Sequence, residues 1–316
     1  MTSHDVSKIL ETLSTLAATS NGRSVDRLAA FLLADFKRAC WELTNESGRV
    51  LLATGFTIKN ATPPAPETDG PLGAVILGAV LASLGRTVTV ICDATHEPVI
   101  GAACNVANKI LGAQGAPRLE IFSATATDIT ADGEALSSES LRELVDESSA
   151  LVFIERVGPG SDSHCRNMRG ERIDHLTLPL HRLLNGFKGL TIGVGDGGNE
   201  VGFGRLSVDA LSEFVQPPEI ACLVPTDCLI VAGVSNWGAH ALAVGILCHM
   251  DSPEQRALGS TFLVEDVSAA IVDQMTNAGA VDGMTGLVNG HIDGLDWLCY
   301  WRVPNRMNEL LTGLEE

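Results

Sequence analysis

Short apolar runs alternate with longer segments of helical character along most of the chain. Runs rich in Val, Ile and Leu predict buried strands at VLLATGF (50–56), TVTVICD (87–93), LEIFSA (119–124), ALVFIER (150–156), GLTIGVG (189–195) and DCLIVAG (227–233). The segments between them predict helices near 71–85, 98–111, 137–148, 175–186, 236–250 and 261–278. Apolar residues at helical spacing also predict a helical segment over residues 1–45.

Strands that alternate with helices pair in parallel, because each crossover helix returns the chain to the same edge of the sheet. The pattern therefore predicts an α/β fold: a Rossmann-like, doubly wound, mostly parallel sheet in a three-layer α/β/α sandwich. No linker is evident, so residues 1–316 are predicted to form a single domain. Residues 280–316 are expected to add a hairpin or a small edge structure, without a clear secondary-structure pattern.

Composition narrows the class of protein further. Hydrophobic residues make up 45% of the chain, and the formal net charge of −18 disfavours nucleic acid and anionic membranes as partners. Eight cysteines are scattered without any C-x-x-C pair, which favours free thiols in a reducing compartment. We expect a cytoplasmic protein that binds a small molecule, with homo-oligomerisation left open.

Polar, glycine-bearing segments follow most of the predicted strands. In an open α/β sheet the carboxyl ends of the strands meet at one edge, where ligands bind. We therefore predict a small-molecule site from the residues that follow the strands: Thr54, Gly55, Lys59, Asp93, Thr95, His96, Glu97, Glu155, Arg156, Asp196, Gly198, Asn199, Glu200, Gly233, Ser235, Asn236 and Trp237.

The segment TIGVGDGGNEVGFGR (191–205) contains the dinucleotide fingerprint G-x-G-x-x-G at Gly193, Gly195 and Gly198. Asp196 and Glu200 would, however, place negative charge beside a pyrophosphate. A glycine-rich turn that carries carboxylates suits an ammonium group, a metal ion or an acid–base pair instead. Tight turns with the acids facing water remain an alternative.

Other polar segments allow both a functional and a structural interpretation. Glu67 and Asp69 precede a predicted helix, where carboxylates favour the helix dipole. Glu155-Arg156 offers a cation for a substrate carboxylate or forms an ion pair. The amides of SNWGAH (235–240) could hold a carboxylate, or Ser235 could cap the helix.

Four motifs, in order, resemble the C-terminal domain of the D-glutamate cyclase family. They are ATGFTIKNATPPAPETDGPLGAV, FIERVGPGSDSHCRNMRG, GVGDGGNEVGFGR and VAGVSNWGAHALA, and the similarity covers roughly residues 45 to 295. The resemblance implies a Rossmann-like fold and conversion of D-glutamate into 5-oxo-D-proline and water. The family motifs fall on Thr54, Gly55, Glu67, Thr68, Asp69, Gly70, Glu155, Arg156, Asn167, Arg169, Asp196, Gly197, Gly198, Asn199, Glu200, Ser235, Asn236 and Trp237.

Lactam formation suggests roles for these residues. Glu200 or Asp196 would accept the ammonium proton, and Glu67 or Asp69 would act as the acid. Arg156 and Arg169 would hold the substrate carboxylates. Alternatively, Asp196 and Glu200 would bind Mn²⁺ or Mg²⁺, which would polarise the γ-carboxyl group.

Two other functions stay open at this point. The first is a non-catalytic amino-acid-binding or accessory module for a separate catalytic domain. The second is a nucleotide-binding enzyme that uses the G-x-G-x-x-G loop.

Overall fold

A computed structural model describes residues 3–22, 26–129 and 136–313. The helices are α1 (Ser3–Ala17), α2 (Asp26–Phe31), α3 (Leu33–Asn45), α4 (Pro71–Ser83), α5 (Glu97–Gln114), α6 (Glu139–Asp146), α7 (Val208–Phe214), α8 (Ser235–Cys248), α9 (Pro253–Ser260), α10 (Glu265–Asn277) and α11 (Trp297–Thr312). The strands are β1 (Arg49–Thr54), β2 (Thr57–Ile58), β3 (Ala65–Pro66), β4 (Val88–Asp93), β5 (Glu120–Ala124), β6 (Ser148–Ile154), β7 (Leu190–Gly195) and β8 (Cys228–Val231).

The main sheet has the order β5-β4-β1-β6-β7-β8, and every neighbouring pair in it is parallel. Without the short antiparallel pair β2–β3, this is the strand order 3-2-1-4-5-6 of a Rossmann fold. Helices cover both faces, so the predicted three-layer α/β/α sandwich is confirmed. The order reverses between β1 and β6, so the two strands open a crevice at their carboxyl ends.

The two faces of the sheet are covered unequally. Alternate side chains such as Leu52 and Val152 pack under a large layer that includes α4, α5 and α8. Their neighbours Leu51 and Phe153 face a smaller layer that includes α6. Helices α4 and α8 are buried along their whole lengths, and each contacts the other. Their amino-terminal ends both lie at the carboxyl edge of the sheet.

The prediction of a helix over residues 175–186 is wrong. The chain forms two short 3₁₀ segments instead, Asp174–Leu176 and Leu180–Leu184, separated by extended backbone at Thr177. Pro179 explains the break, because proline lacks an N–H and disfavours helical backbone at the residue before it. The helix predicted over 261–278 forms as α10, which begins four residues later than predicted, at Glu265, after a turn that follows the end of α9 at Ser260.

Within residues 280–313 the C-terminal region forms no strand of the sheets, only the isolated bridges of Val281 with Glu67 and of Ile292 with Leu295. A long loop leads into α11, which begins at an N-cap where Asp296 accepts a hydrogen bond from the Cys299 N–H. Tyr300, Met307 and Leu311 recur on the buried face of α11, which packs against α8 and α1. No helix in the described ranges is long and apolar enough to cross a membrane.

Candidate active site

A cavity of about 350 Å³ opens at the carboxyl edge of the sheet, where the strand order reverses. Segments that follow β1, β6 and β7 form much of its wall. Of the residues predicted for the site, it is lined by Lys59, Glu67, Asp69, Glu155, Asn167, Arg169, Asp196, Asn199 and Glu200. The structure places the others outside the lining: Thr54, Gly55, Thr68, Gly70, Asp93, Thr95, His96, Glu97, Arg156, Gly197, Gly198, Gly233, Ser235, Asn236 and Trp237.

Buried carboxylates form the inner wall of the cavity. Asp69, Glu155 and Asp196 each offer an oxygen, and these three atoms lie within 4.8 Å of one another. Each of the three residues is less than one-tenth exposed. Like charges at this separation in a poorly solvated site repel strongly, so the cluster favours protons or a bound cation.

Asp69 and Asn236 cap each other's helices. Asp69 accepts hydrogen bonds from the backbone N–H groups of Ser235 (2.9 Å) and Asn236 (2.8 Å) at the start of α8. In return, the Asn236 side-chain oxygen accepts from the N–H groups of Gly70 (2.9 Å) and Gly73 (2.7 Å) at the start of α4. The amides of SNWGAH therefore hold a carboxylate, but it is one of the protein's own.

Two opposing effects act on Asp69. Burial raises the pKa of the Asp69 carboxyl well above its usual range, and the charges of Asp196 and Asp293 add to this rise. Hydrogen bonds from the backbone of Asn236 and Ser235 partly offset it. Both oxygens of Asp69 are thus fixed at the amino-terminal end of α8.

Glu155 stands at the end of β6 with a positive φ of 46°. A non-glycine residue rarely adopts this left-handed backbone, and such residues concentrate at functional sites. The Ser235 hydroxyl donates a hydrogen bond to its carboxylate. Burial first, and then the charges of Asp196 and Glu200, raise the pKa of Glu155 well above its usual range.

The glycine-rich loop after β7 wraps around its own carboxylate. One Glu200 oxygen accepts from the N–H groups of Asp196 (3.2 Å) and Gly197 (2.8 Å), and the other accepts from Gly198 (2.7 Å). Backbone N–H groups arranged in this way form an anion-binding concavity. The amides that a pyrophosphate would need are therefore bonded to Glu200, so this structure does not support the nucleotide interpretation of G-x-G-x-x-G.

The glycines of this loop are required by close contacts. Gly198 has a φ of +96°, and a Cβ there would lie 2.1 Å from a Val215 methyl carbon. At Gly195 a Cβ would lie 2.9 Å from the Glu200 carboxyl carbon. The glycines thus allow the chain to close around Glu200.

Cationic side chains stand at the more exposed part of the cavity wall. Lys59 lies 3.4 Å from a Glu171 oxygen, and Arg169 is exposed to solvent. Asn167 shapes this rim, because its side-chain oxygen accepts hydrogen bonds from the N–H groups of Arg169 and Glu171. Side chains of opposite charge therefore lie in different parts of the cavity, with carboxylates inside and cationic side chains near the opening.

Arg156 does not point into the cavity. Its guanidinium is fully buried and donates hydrogen bonds to Asp93 (2.8 Å), the Gly55 carbonyl (2.8 Å) and the Leu178 carbonyl (2.6 Å). This geometry leaves Arg156 unable to bind a substrate carboxylate in the cavity. Trp237 is also buried, where its ring stacks on Tyr300 with centroids 5.9 Å apart.

The C-terminal loop contributes a wall that the sequence analysis missed. Gly283, Met284, Thr285, Gly286 and Asp293 all line the cavity. Asp282 organises this loop by accepting hydrogen bonds from Thr285 and Gly294. The turn-forming residues of DGMTGLVNGHIDG were visible in the sequence, but nothing local indicated where the loop would pack.

A divalent metal ion fits one part of this donor set. The oxygens of Asp69, Glu155 and Asp196 are close enough for one ion, and carboxylates are the ligands that Mg²⁺ and Mn²⁺ prefer. The ion suggested for Asp196 and Glu200 has less support, because Glu200 is not among the three carboxylates whose oxygens lie within 4.8 Å of one another.

Comparison with known proteins agrees with the motifs. A family described as "D-glutamate cyclase-like, C-terminal" matches residues 13–308. The mitochondrial D-glutamate cyclase of Homo sapiens is 30% identical over 274 residues, which is 78% of this chain and 43% of the human protein. The chain thus spans less than half the length of this relative. The match over nearly its whole length shows that the chain belongs to the D-glutamate cyclase-like C-terminal family.

Proposed function

We propose that the cavity binds D-glutamate and closes it to 5-oxo-D-proline with release of water. The observation that carries this proposal is the charge arrangement of the cavity. Its inner carboxylates suit an ammonium group, while Lys59 and Arg169 nearer the opening suit a carboxylate. A zwitterionic amino acid has both charges. The substrate and its D configuration come from the name of the human relative.

The reaction is balanced without any other reactant. The ammonium group loses two protons and becomes the amide N–H of the lactam. The nitrogen forms a bond to the γ-carboxyl carbon, and one oxygen of that carboxyl leaves as water with two protons. Two protons must therefore pass from the nitrogen to the leaving oxygen by way of the protein, which is general acid–base catalysis.

We assign the base role to Asp196 and the acid role to Glu155. Asp196 belongs to the buried cluster, whereas Glu200 is bonded to the loop amides through both oxygens. Glu155 suits the acid role because its raised pKa keeps a proton on it at higher pH than usual. This assignment replaces Glu67 and Asp69 as the first choice of acid, since Asp69 is fixed at the start of α8 and Glu67 is not part of the cluster with Asp196.

Lys59 and Arg169 then bind the substrate carboxylate near the opening. Arg169 is well suited because a guanidinium donates two parallel hydrogen bonds to a carboxylate. If Mn²⁺ or Mg²⁺ is bound, Asp69, Glu155 and Asp196 would hold it as carboxylates, and Lewis-acid polarisation of the γ-carboxyl group by the ion would replace the proton-transfer roles of Glu155 and Asp196.

The first experiment is an NMR time course of the purified chain with D-glutamate, with Mn²⁺ and with EDTA. We expect 5-oxoproline from D-glutamate and none from L-glutamate. The variant Asp196→Asn should lose at least about 100-fold in kcat, the usual scale for a general base. The control Asp209→Asn, an exposed carboxylate on α7, should keep full activity.

A second candidate function has support from the length of the human relative, of which this chain matches 43%. An activity of the longer protein can reside outside the shared region. In that case the chain would be an amino-acid-binding or accessory module. A melting temperature raised by D-glutamate without product would favour this function, and wild-type rates in Asp196→Asn would overturn the catalytic assignment.

We also propose a cytoplasmic location. Its support is that all eight cysteines are free thiols, with seven of them buried. Free thiols persist in reducing compartments. The human relative is named as mitochondrial, so fractionation of cells that express the tagged chain is the direct measurement.

A further inference from the structure

Arg156 joins three separate parts of the fold beneath the cavity. Its guanidinium bonds to Gly55, just after β1, and to Asp93, the last residue of β4. It also bonds to the Leu178 carbonyl in the extended backbone between the two 3₁₀ segments. Asp93 in turn accepts a hydrogen bond from the Leu178 N–H (3.3 Å). One buried side chain therefore fixes the ends of two strands and a loop.

The residue before Arg156 has the strained backbone of the site. Glu155 has a φ of 46° and lines the cavity, while the side chain of Arg156 lies outside it. The Glu155 N–H donates to the Val194 carbonyl (3.0 Å), and a Cβ at Gly70 would lie 2.6 Å from the Glu155 Cβ. Such a conformation persists only where the surrounding structure holds it.

We propose that Arg156 is a positioning residue whose hydrogen bonds hold Glu155 in the left-handed conformation that directs its carboxylate into the cavity. The Arg156 guanidinium bonds to groups outside the cavity lining, whereas the adjacent Glu155 lines the cavity. A planar group with several donors in fixed directions can bond three acceptors at once. A lysine ammonium keeps the charge opposite Asp93 but not this geometry.

This proposal rests on the proposed function of the cavity, which Glu155 lines, and the test separates the two. The first variant is Arg156→Lys. The matched control is Val152→Ala, a fully buried position on the same strand that removes core packing and leaves the Arg156 hydrogen bonds intact. Both variants are expected to lower the melting temperature, so stability alone does not distinguish them.

The kinetic result expected for Arg156→Lys is a fall in kcat of about 30- to 100-fold, because small displacements of a reacting group have effects of this size. KM for D-glutamate should change less than about threefold, and Val152→Ala should keep kcat. A large rise in KM with unchanged kcat would show that Arg156 binds substrate, and would overturn the proposal. If both variants lose kcat in the same proportion to their loss of stability, then Arg156 has a structural role only. That result would also overturn the proposal.

A crystal structure of each variant gives a readout that does not depend on turnover. Glu155 should leave the left-handed region in Arg156→Lys and stay near a φ of 46° in Val152→Ala. If the wild type has no cyclase activity, the proposed function fails while this measurement still decides the positioning role. An unchanged Glu155 in Arg156→Lys would overturn that role.

A second variant covers the case in which Arg156→Lys does not fold. The double variant Asp93→Asn with Arg156→Met removes both buried charges, which proteins often tolerate better than the loss of one partner. The proposal expects the same fall in kcat and the same change at Glu155. Full activity in the double variant would contradict it.

Discussion

At the scale of single residues, the carboxylates of Glu200 and Asp196 lie on the same loop but have different surroundings in the folded protein. Both were predicted as bases or metal ligands on the same glycine-rich loop. Glu200 is surrounded by the N–H groups of that loop, so its charge stabilises the local backbone. Asp196 belongs to the buried cluster with Asp69 and Glu155. The sequence predicted that the loop carries functional carboxylates, but the direction of each side chain depends on the folded backbone.

These environments predict opposite effects on stability. Glu200→Gln replaces an acceptor oxygen with an amide donor facing backbone N–H groups, so we expect a loss of about 1–3 kcal/mol in the free energy of unfolding. Asp196→Asn removes a charge that repels Asp69 and Glu155. Its melting temperature should equal or exceed that of the wild type, although its activity is lost. Urea and thermal unfolding of both variants measure this difference, and equal destabilisation would contradict the assignment.

At the scale of elements, helices α4 and α8 depend on each other. The sequence predicted α4 from the Gly70-Pro71 start, since proline is favoured in the first helical turn. It also predicted that carboxylates precede this helix. Asp69 accepts from the Gly70 N–H (3.0 Å) at the start of α4, but that both of its oxygens would also cap α8 was not predictable, because the two helix starts are brought together only by the order of strands in the sheet.

The reciprocal caps predict a coupled loss. Asn236→Ala removes the acceptor of the Gly73 N–H and one of the two acceptors of the Gly70 N–H, and a lost N-cap costs about 1–2 kcal/mol of stability. Because Gly70 adjoins Asp69, we also expect activity to fall. Ser252→Ala, at the N-cap of α9 outside the cavity lining, is the control. Ser252→Ala should lose stability but keep kcat. Intact kcat in Asn236→Ala would contradict the prediction, because it would show that the reciprocal caps do not affect the active site.

At the scale of the whole molecule, burial sets the charge states of the interior. The imidazoles of His96 and His240 are buried and that of His181 is partly buried, and burial lowers the pKa of each to about 4. The unfolded chain binds protons on these groups below pH 6.5, whereas the folded chain stays neutral there. Stability from these histidines is therefore complete above pH 6.5 and falls as the pH decreases toward 4. The raised pKa values of Asp69 and Glu155 act with the opposite sign, because the folded chain keeps those protons longer.

A single variant isolates the histidine contribution. His240 lies on α8 outside the cavity lining and bonds to Asn308 of α11. As the pH falls from 6.5 to 4, the free energy of unfolding should decrease more for the wild type than for His240→Gln. The limiting slope is about 1.4 kcal/mol per pH unit. The exposed His175→Gln is the control. Urea unfolding at several pH values measures the slope, and a constant difference would contradict the neutral state of His240.

The sequence by itself determined the six strands of the main sheet, most of the helices, the parallel sandwich and the edge where the polar residues meet, because these depend on local periodicity and on the rule for parallel crossovers. It also determined the family through its motifs. Only the tertiary structure decided which carboxylates share the cavity, that Arg156 lies beneath it, and that the C-terminal loop closes one wall. The physical reason is that side-chain direction and long-range packing depend on contacts between residues far apart in the chain, which local patterns do not encode.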